Sequence, residues 1–288
     1  MLQGIATGAA TSAFTAAIIE LAPAHRKRLG ALIGSVTPAA GLGVGALFAG
    51  AVAELAPGDP AIVWGILLVV MAAGIGIALF VRETVTPTGG ALASLRPRIA
   101  VPARARTAFG AGVPSLIGAW MVAALFMGLM PTILGTVFGI HDVLTAAITA
   151  AIEPIAAGVA AWLLGRVAPR TALLLGGGMV IVGTAVDVAG ILFATLPLLW
   201  VGGVLGGIGF GAVFSGTVRG LAPLAEAHER AGLFAAIFVV AYLAFGVPAI
   251  VAGQLVAPLG LLAVAVGFAA VILLTATIGL VSEARRRS

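Results

Sequence analysis

A carboxyl and two hydroxyls recur at a spacing of four residues in the apolar run 143–165: Thr145, Thr149 and Glu153, with Pro154 directly after. Residues four apart lie on one face of a helix, so the three form a polar row that ends near the middle of a greasy segment. An ionisable group at membrane depth is expensive, and by default it has a reason to be there. With no cation beside it in the chain, such a carboxyl can take up and release a proton, and the hydroxyls on its face can hold a polar part of a solute. The competing use is structural: a protonated glutamate hydrogen-bonded to a neighbouring helix.

The other groups with chemistry are sparser. Asp187 lies 16 residues after Thr171 in the run 171–194, roughly 24 Å along a helix at 1.5 Å per residue. That puts it toward the far end from Arg166 and Arg170, in a structural or near-interface position. Trp120 and Tyr242, the single tyrosine, fall inside apolar runs. Either can stack on a flat or cationic ligand, and either can simply fill space between helices. His25, His141 and His228 are isolated, so they make no metal site. The chain has no cysteine, which excludes disulfides, thiolate metal sites and cysteine nucleophiles. There is no His-Glu metal motif, no Gly-x-Ser-x-Gly elbow and no clustered acid–base set, so nothing here carries an enzyme reading or calls for a cofactor.

The elements that must position these residues follow from composition. The chain is 61% hydrophobic and 9% charged, with a mean hydropathy of +1.23. A water-soluble domain devotes about a quarter of its residues to charge, so this chain lacks the material for a wet surface and its solvent is lipid. Nine spanning helices are expected, at 2–22, 29–51, 61–82, 110–138, 143–165, 171–194, 197–221, 231–256 and 259–282. Each has about 20 or more mostly apolar residues, enough for ~30 Å of hydrocarbon. None alternates as barrel strands do. The first run has no basic leader and is too long for a signal peptide. Gly203, Gly207 and Gly211 form a small-xxx-small row for close helix contact. Gly41, Gly43 and Gly45 lie inside a spanning run and follow no strand, so they are not a dinucleotide fingerprint.

The net charge of +5 does not mark a nucleic-acid binder, because the cations sit in short clusters between apolar runs. These are Arg26–Lys27–Arg28; Arg82, Arg96, Arg98, Arg104 and Arg106; Arg166 and Arg170; Arg219 and Arg230; and Arg285–Arg286–Arg287, which together account for all 15 lysines and arginines. They occupy every second connection and the C-terminus, whereas the alternate connections carry Glu54, Asp59, His141 and Asp142. The positive-inside rule places the basic side, and with it the C-terminus, in the cytoplasm.

An internal repeat runs at a constant offset of 203, which carries His25 onto His228, Gly4 onto Gly207, Gly8 onto Gly211, Ser12 onto Ser215, Gly43 onto Gly246 and Gly50 onto Gly253. The first helix pair therefore corresponds to the seventh and eighth, and the repeat unit is six helices in parallel orientation. Parallel six-helix halves are one of the transporter plans. The second unit spans 110–282. The first holds only its last three helices, 2–82, so about 90–100 residues are expected ahead of Met1 in a complete pair.

Across essentially its whole length the chain resembles the major facilitator superfamily, and is similar to helices 4 to 12 of a twelve-helix member. "LQGIATGAA" at 2–10 is similar to the fourth-helix motif. "TPAAGLG" at 37–43 partly matches the fifth-helix Gly-Pro antiporter motif, with Thr37 in place of the glycine before Pro38. "LLGRVAPRTALL" at 163–174 resembles the second-half copy of the loop motif between helices 2 and 3, with Gly165 at the aspartate position and Arg166 and Arg170 kept.

The resemblance implies a major-facilitator-like all-α membrane fold, with an N-terminal lobe remnant at 1–82, a cytoplasmic linker at 83–109 and a complete C-terminal lobe at 110–288. It implies that the 143–165 helix lines the cavity, with Glu153 as the proton-coupling group and Thr145, Thr149, Trp120 and Tyr242 as substrate contacts. Arg166 and Arg170 are then gating residues, and Glu20 and Arg219 are orientation or gating contacts. The expected function is proton-coupled efflux of amphipathic or drug-like small molecules by a monomer in the inner or plasma membrane, with substrate and lipid as its partners. The rivals are uptake of a small metabolite, a transporter-derived protein that no longer transports, and a membrane-embedded enzyme.

Overall fold

The apolar runs fold as helices, with no strand among the described residues. The computed structural model describes residues 10, 14, 17–18, 21–23, 25, 27–56, 59–80, 99–226 and 229–286. The helices are α1 (Lys27–Leu55), α2 (Pro60–Phe80), α3 (Arg106–Ala124), α4 (Met130–Val137), α5 (Val143–Leu163), α6 (Pro169–Leu192), α7 (Leu196–Leu221), α8 (Arg230–Leu259) and α9 (Leu261–Arg285). Among the described residues, seven helical stretches are long and apolar enough to cross a membrane. This is a multi-pass, all-helical membrane protein. Within α1 the apolar stretch is shorter, Ala40–Leu55. The expected span 2–22, with Glu20, lies outside the described residues apart from isolated positions, as do most of the 83–109 linker and His228.

Two local features depart from the expected spans. The helix expected at 110 starts at Arg106, led by a 3-10 turn over Ala103–Ala105 after Pro102. Arg104 and Arg106 tie this start down, through an ion pair to Glu226 at 2.8 Å and a bond to the Val101 carbonyl. The 110–138 run is also not one regular helix: a π-turn at Leu125–Leu129 separates α3 from α4. Pro131 lies just beyond it. Proline has no N–H for the carbonyl four residues earlier and its ring crowds that turn, so the ladder widens there.

Packing centres on α7. Helices in lipid gain no hydrophobic drive from meeting one another, so close contact depends on small residues. The Gly203–Gly207–Gly211 row lies against α5: Gly207 and Gly211 abut the carbonyl oxygens of Glu153 and Ala157, and Gly203 abuts Ile152 and the Phe126 ring. A second glycine face of α7 meets α6. A Cβ at Gly209 would lie 2.7 Å from the Val180 nitrogen, and Gly206 faces Gly183. Gly43 and Gly50 let α1 approach α5 beside Ala151, Ile155 and Ala147. In contrast, the most apolar window of α2 is not buried at all, and Trp64, Leu68 and Phe80 face outward.

The basic residues collect at one end. Arg219 donates to the carbonyls of Leu164 at 3.1 Å and Val167 at 2.6 Å. Arg170 reaches the carbonyls of Glu283 and Ala284, and Arg286 pairs with Glu283 at 2.6 Å. Each arginine supplies positive charge where helix carbonyls run out of partners.

Candidate functional site

The α5 face expected from spacing is real, and it is turned inward. Glu153 is 2% exposed and Thr149 1%, while Thr145 is half-buried. Asp142 caps the helix by accepting from the Thr145 backbone N–H at 2.7 Å. These bonds to Thr145 hold its carboxyl below the usual carboxylate range. One turn on, the Thr149 hydroxyl has its proton committed: it donates to the Thr145 carbonyl at 2.8 Å and accepts from Trp200 Nε1 at 3.0 Å. Trp200 is in the first turns of α7, so this bond joins α5 to α7 near the end remote from the arginines.

Glu153 comes one turn further. Its Oε1 is buried without a hydrogen-bond partner, and its backbone carbonyl lies against Gly207. No cation is paired with it among the described residues. A carboxyl so enclosed, in a spanning helix, with a fixed hydroxyl–indole pair one turn away, has the elements of a proton-carrying site.

Trp120 and Tyr242 are brought together, with ring centroids 5.5 Å apart. Trp120 is also met edge-on by Phe210 at 5.3 Å, Phe214 at 5.8 Å and Phe245 at 6.4 Å. The cluster joins α3, α7 and α8. Its inner part is closed, with Trp120 Nε1 buried and unpartnered, and its outer edge is open, with Tyr242 52% exposed. α7 connects the two groups, since Phe210 follows Gly207 by three residues and so lies on a neighbouring face, one turn nearer the basic end.

The remaining expected positions separate. Arg170 bridges the end of α9, whereas Arg166 is exposed in the turn after α5. His25 and His141 are exposed, and no group of three or more potential metal ligands occurs among the described residues. Asp187, expected in a structural or near-interface position, is 0% exposed, with both carboxyl oxygens unpartnered, pressed against Gly202. Distance along the helix gave its depth but not its facing. Trp200 was not foreseen, because its partner is 51 residues away on another helix. Neither known family models nor characterised proteins give a match to this chain.

Proposed function

We propose that this chain is a secondary active transporter of the major facilitator type. In this reading it lies in the inner or plasma membrane with the basic end in the cytoplasm, and exports amphipathic or drug-like small molecules in exchange for protons. The observation that carries the reading is Glu153, a carboxyl buried in a spanning helix with an unpartnered oxygen and no paired cation. A permanent charge there would be unaffordable in lipid, while a group that binds and releases a proton is the usual reason for an acid at such depth. The 203-residue repeat and the low charge of the helix interior support a transporter for apolar solutes over a carrier of sugars or phosphate. Thr145, Thr149, Trp120 and Tyr242 serve as solute contacts, and Arg166 and Arg170 act at the cytoplasmic end.

The test is transport by the protein in proteoliposomes, with ethidium as a flat lipophilic cation and an imposed pH gradient. The wild type moves ethidium faster with the gradient than without it. Glu153→Gln, which keeps size but has no proton to release, loses the gradient-driven component while inserting and folding normally. Full gradient-driven transport by Glu153→Gln removes Glu153 as the coupling group. If Gln is tolerated and only Glu153→Leu lowers stability, the glutamate is structural.

A further inference from the structure

A small cavity lies at the basic end, between the first turns of α3 and α6 and the last turns of α7. It is lined by Ala108 and Gly112, by Pro169 and Leu173, by Thr217 and Leu221, and by the Arg286 side chain, and it measures about 20 Å³. One water needs about 10–15 Å³ on this measure, so the space takes one particle of water or halide size.

Three features of its wall favour negative charge. First, α6 begins on it: Pro169 is its first residue, and the helix has no side-chain cap. Helix N-termini carry free N–H groups and partial positive charge. Second, Arg286 lines the space, with its charge shared with Glu283 at 2.6 Å. Arg170, which does not line the space, is bonded to the carbonyls of Glu283 and Ala284 at the same end, and the second carboxyl oxygen of Glu283 is buried without a partner.

The third is Thr217, which is 4% exposed, with a buried hydroxyl that has no partner. Several other helical threonines here donate back one turn, Thr136 to the Thr132 carbonyl at 2.7 Å, Thr149 to Thr145 at 2.8 Å and Thr275 to Val271 at 2.9 Å, whereas Thr184 in α6 is, like Thr217, buried without a partner. Thr217 forgoes that bond although the carbonyl of its own helix is within reach of any helical threonine. Its O–H is left as a donor on the cavity wall.

We propose that this cavity binds a single monatomic anion, chloride in the cell, between the N-terminus of α6, the Thr217 hydroxyl and Arg286. The anion ties α6, α7 and the end of α9 together at the basic face. It is distinct from the Glu153 row, which reaches toward the other end of α5.

The experiment measures thermal unfolding of the purified full chain in detergent at constant ionic strength, with sodium chloride exchanged stepwise for sodium gluconate, an anion too large to enter. The wild type has a higher Tm in chloride, with a saturable dependence on chloride concentration. Thr217→Val abolishes that shift, Thr217→Ser retains it because the hydroxyl remains, and Arg286→Gln weakens it. Soaked crystals show one bromide anomalous peak beside Thr217. Equal Tm in chloride and gluconate for the wild type, with no bromide peak, makes the cavity a water site and overturns the proposal. So does a chloride shift of undiminished size in Thr217→Val.

Discussion

The indole N–H of Trp200 donates to the hydroxyl of Thr149 across 3.0 Å, and that hydroxyl in turn donates to the carbonyl of Thr145. The first bond joins two helices, the second lies within one, and together they leave Thr149 with no free proton. Between spanning helices such a bond has no water to compete with it, but an unfolded chain in the membrane also finds partners, so its net worth is modest.

A double-mutant cycle measures that worth. Thr149→Val leaves the Trp200 N–H without its acceptor, and Trp200→Phe removes the donor. Unfolding in detergent or bicelles should give a coupling energy of about 0.6 kcal/mol, and no more than ~1.7 kcal/mol. A coupling of zero within error would mean that the pair is not formed in the folded protein.

The glycine row of α7 gives a sharper contrast. Gly211 abuts the Ala157 carbonyl, whereas a Cβ on Gly178 in α6 meets nothing within 4 Å. Gly211→Ala forces α5 and α7 apart and should cost about 1–3 kcal/mol, as overpacking does. Gly178→Ala should leave the Tm unchanged or slightly higher. The pair share one chemical change, so equal effects would show that the α5–α7 approach is not as close as described.

Much of this was legible in advance, for physical reasons that differ by residue. The Gly203–Gly207–Gly211 row was legible because small residues at a four-residue spacing have one main use in lipid, and they do meet α5. Glu153 was legible because helical period and depth both follow from the local sequence. Trp200 was not, since a hydrogen bond between helices depends on how they rotate against each other, and nothing near Trp200 encodes the position of Thr149. Asp187 was placed correctly along its helix, but its facing was set by Gly202 on α7. The π-turn had a local signal in Pro131, yet a hydrophobicity pattern does not register one extra residue in a turn. The Thr217 cavity had no signal at all, because it is made by four helix ends.

Asp142 gives a prediction in pH. It caps α5 outside the spanning stretch, and its bonds to Thr145 lower its pKa in the folded protein. A carboxyl with a depressed folded pKa adds stability that is present above its unfolded value of about 3.9 and is lost as pH falls through the folded value. Asn also caps helices but does not titrate. The stability of the wild type relative to Asp142→Asn should therefore stay constant from pH 7 to about 5 and decline below about 4. A gap that widens as the pH drops, in paired melts of the two proteins, would have the wrong sign for this cap.

The last prediction concerns orientation. Every described arginine in the connections lies at one end of the bundle, where Arg104, Arg170 and Arg219 bind groups from neighbouring elements and Arg286 pairs with Glu283 at the end of its own helix. The opposite turn carries His141 and Asp142, both exposed. Cations next to spanning segments are retained on the cytoplasmic side during insertion, so the arginine end should face the cytoplasm and His141 the exterior. The chain has no cysteine, which makes single-cysteine labelling clean without prior engineering. His141→Cys in intact cells should react with a membrane-impermeant maleimide. Ala168→Cys, in the exposed turn before α6, should react only after the membrane is permeabilised. A reporter fused after Ser288 that is active only outside the cytoplasm should stay silent. The reverse labelling pattern would invert the proposed topology. Labelling of both cysteines from the same side would be more serious, because α5 separates the two positions and would then not cross the membrane.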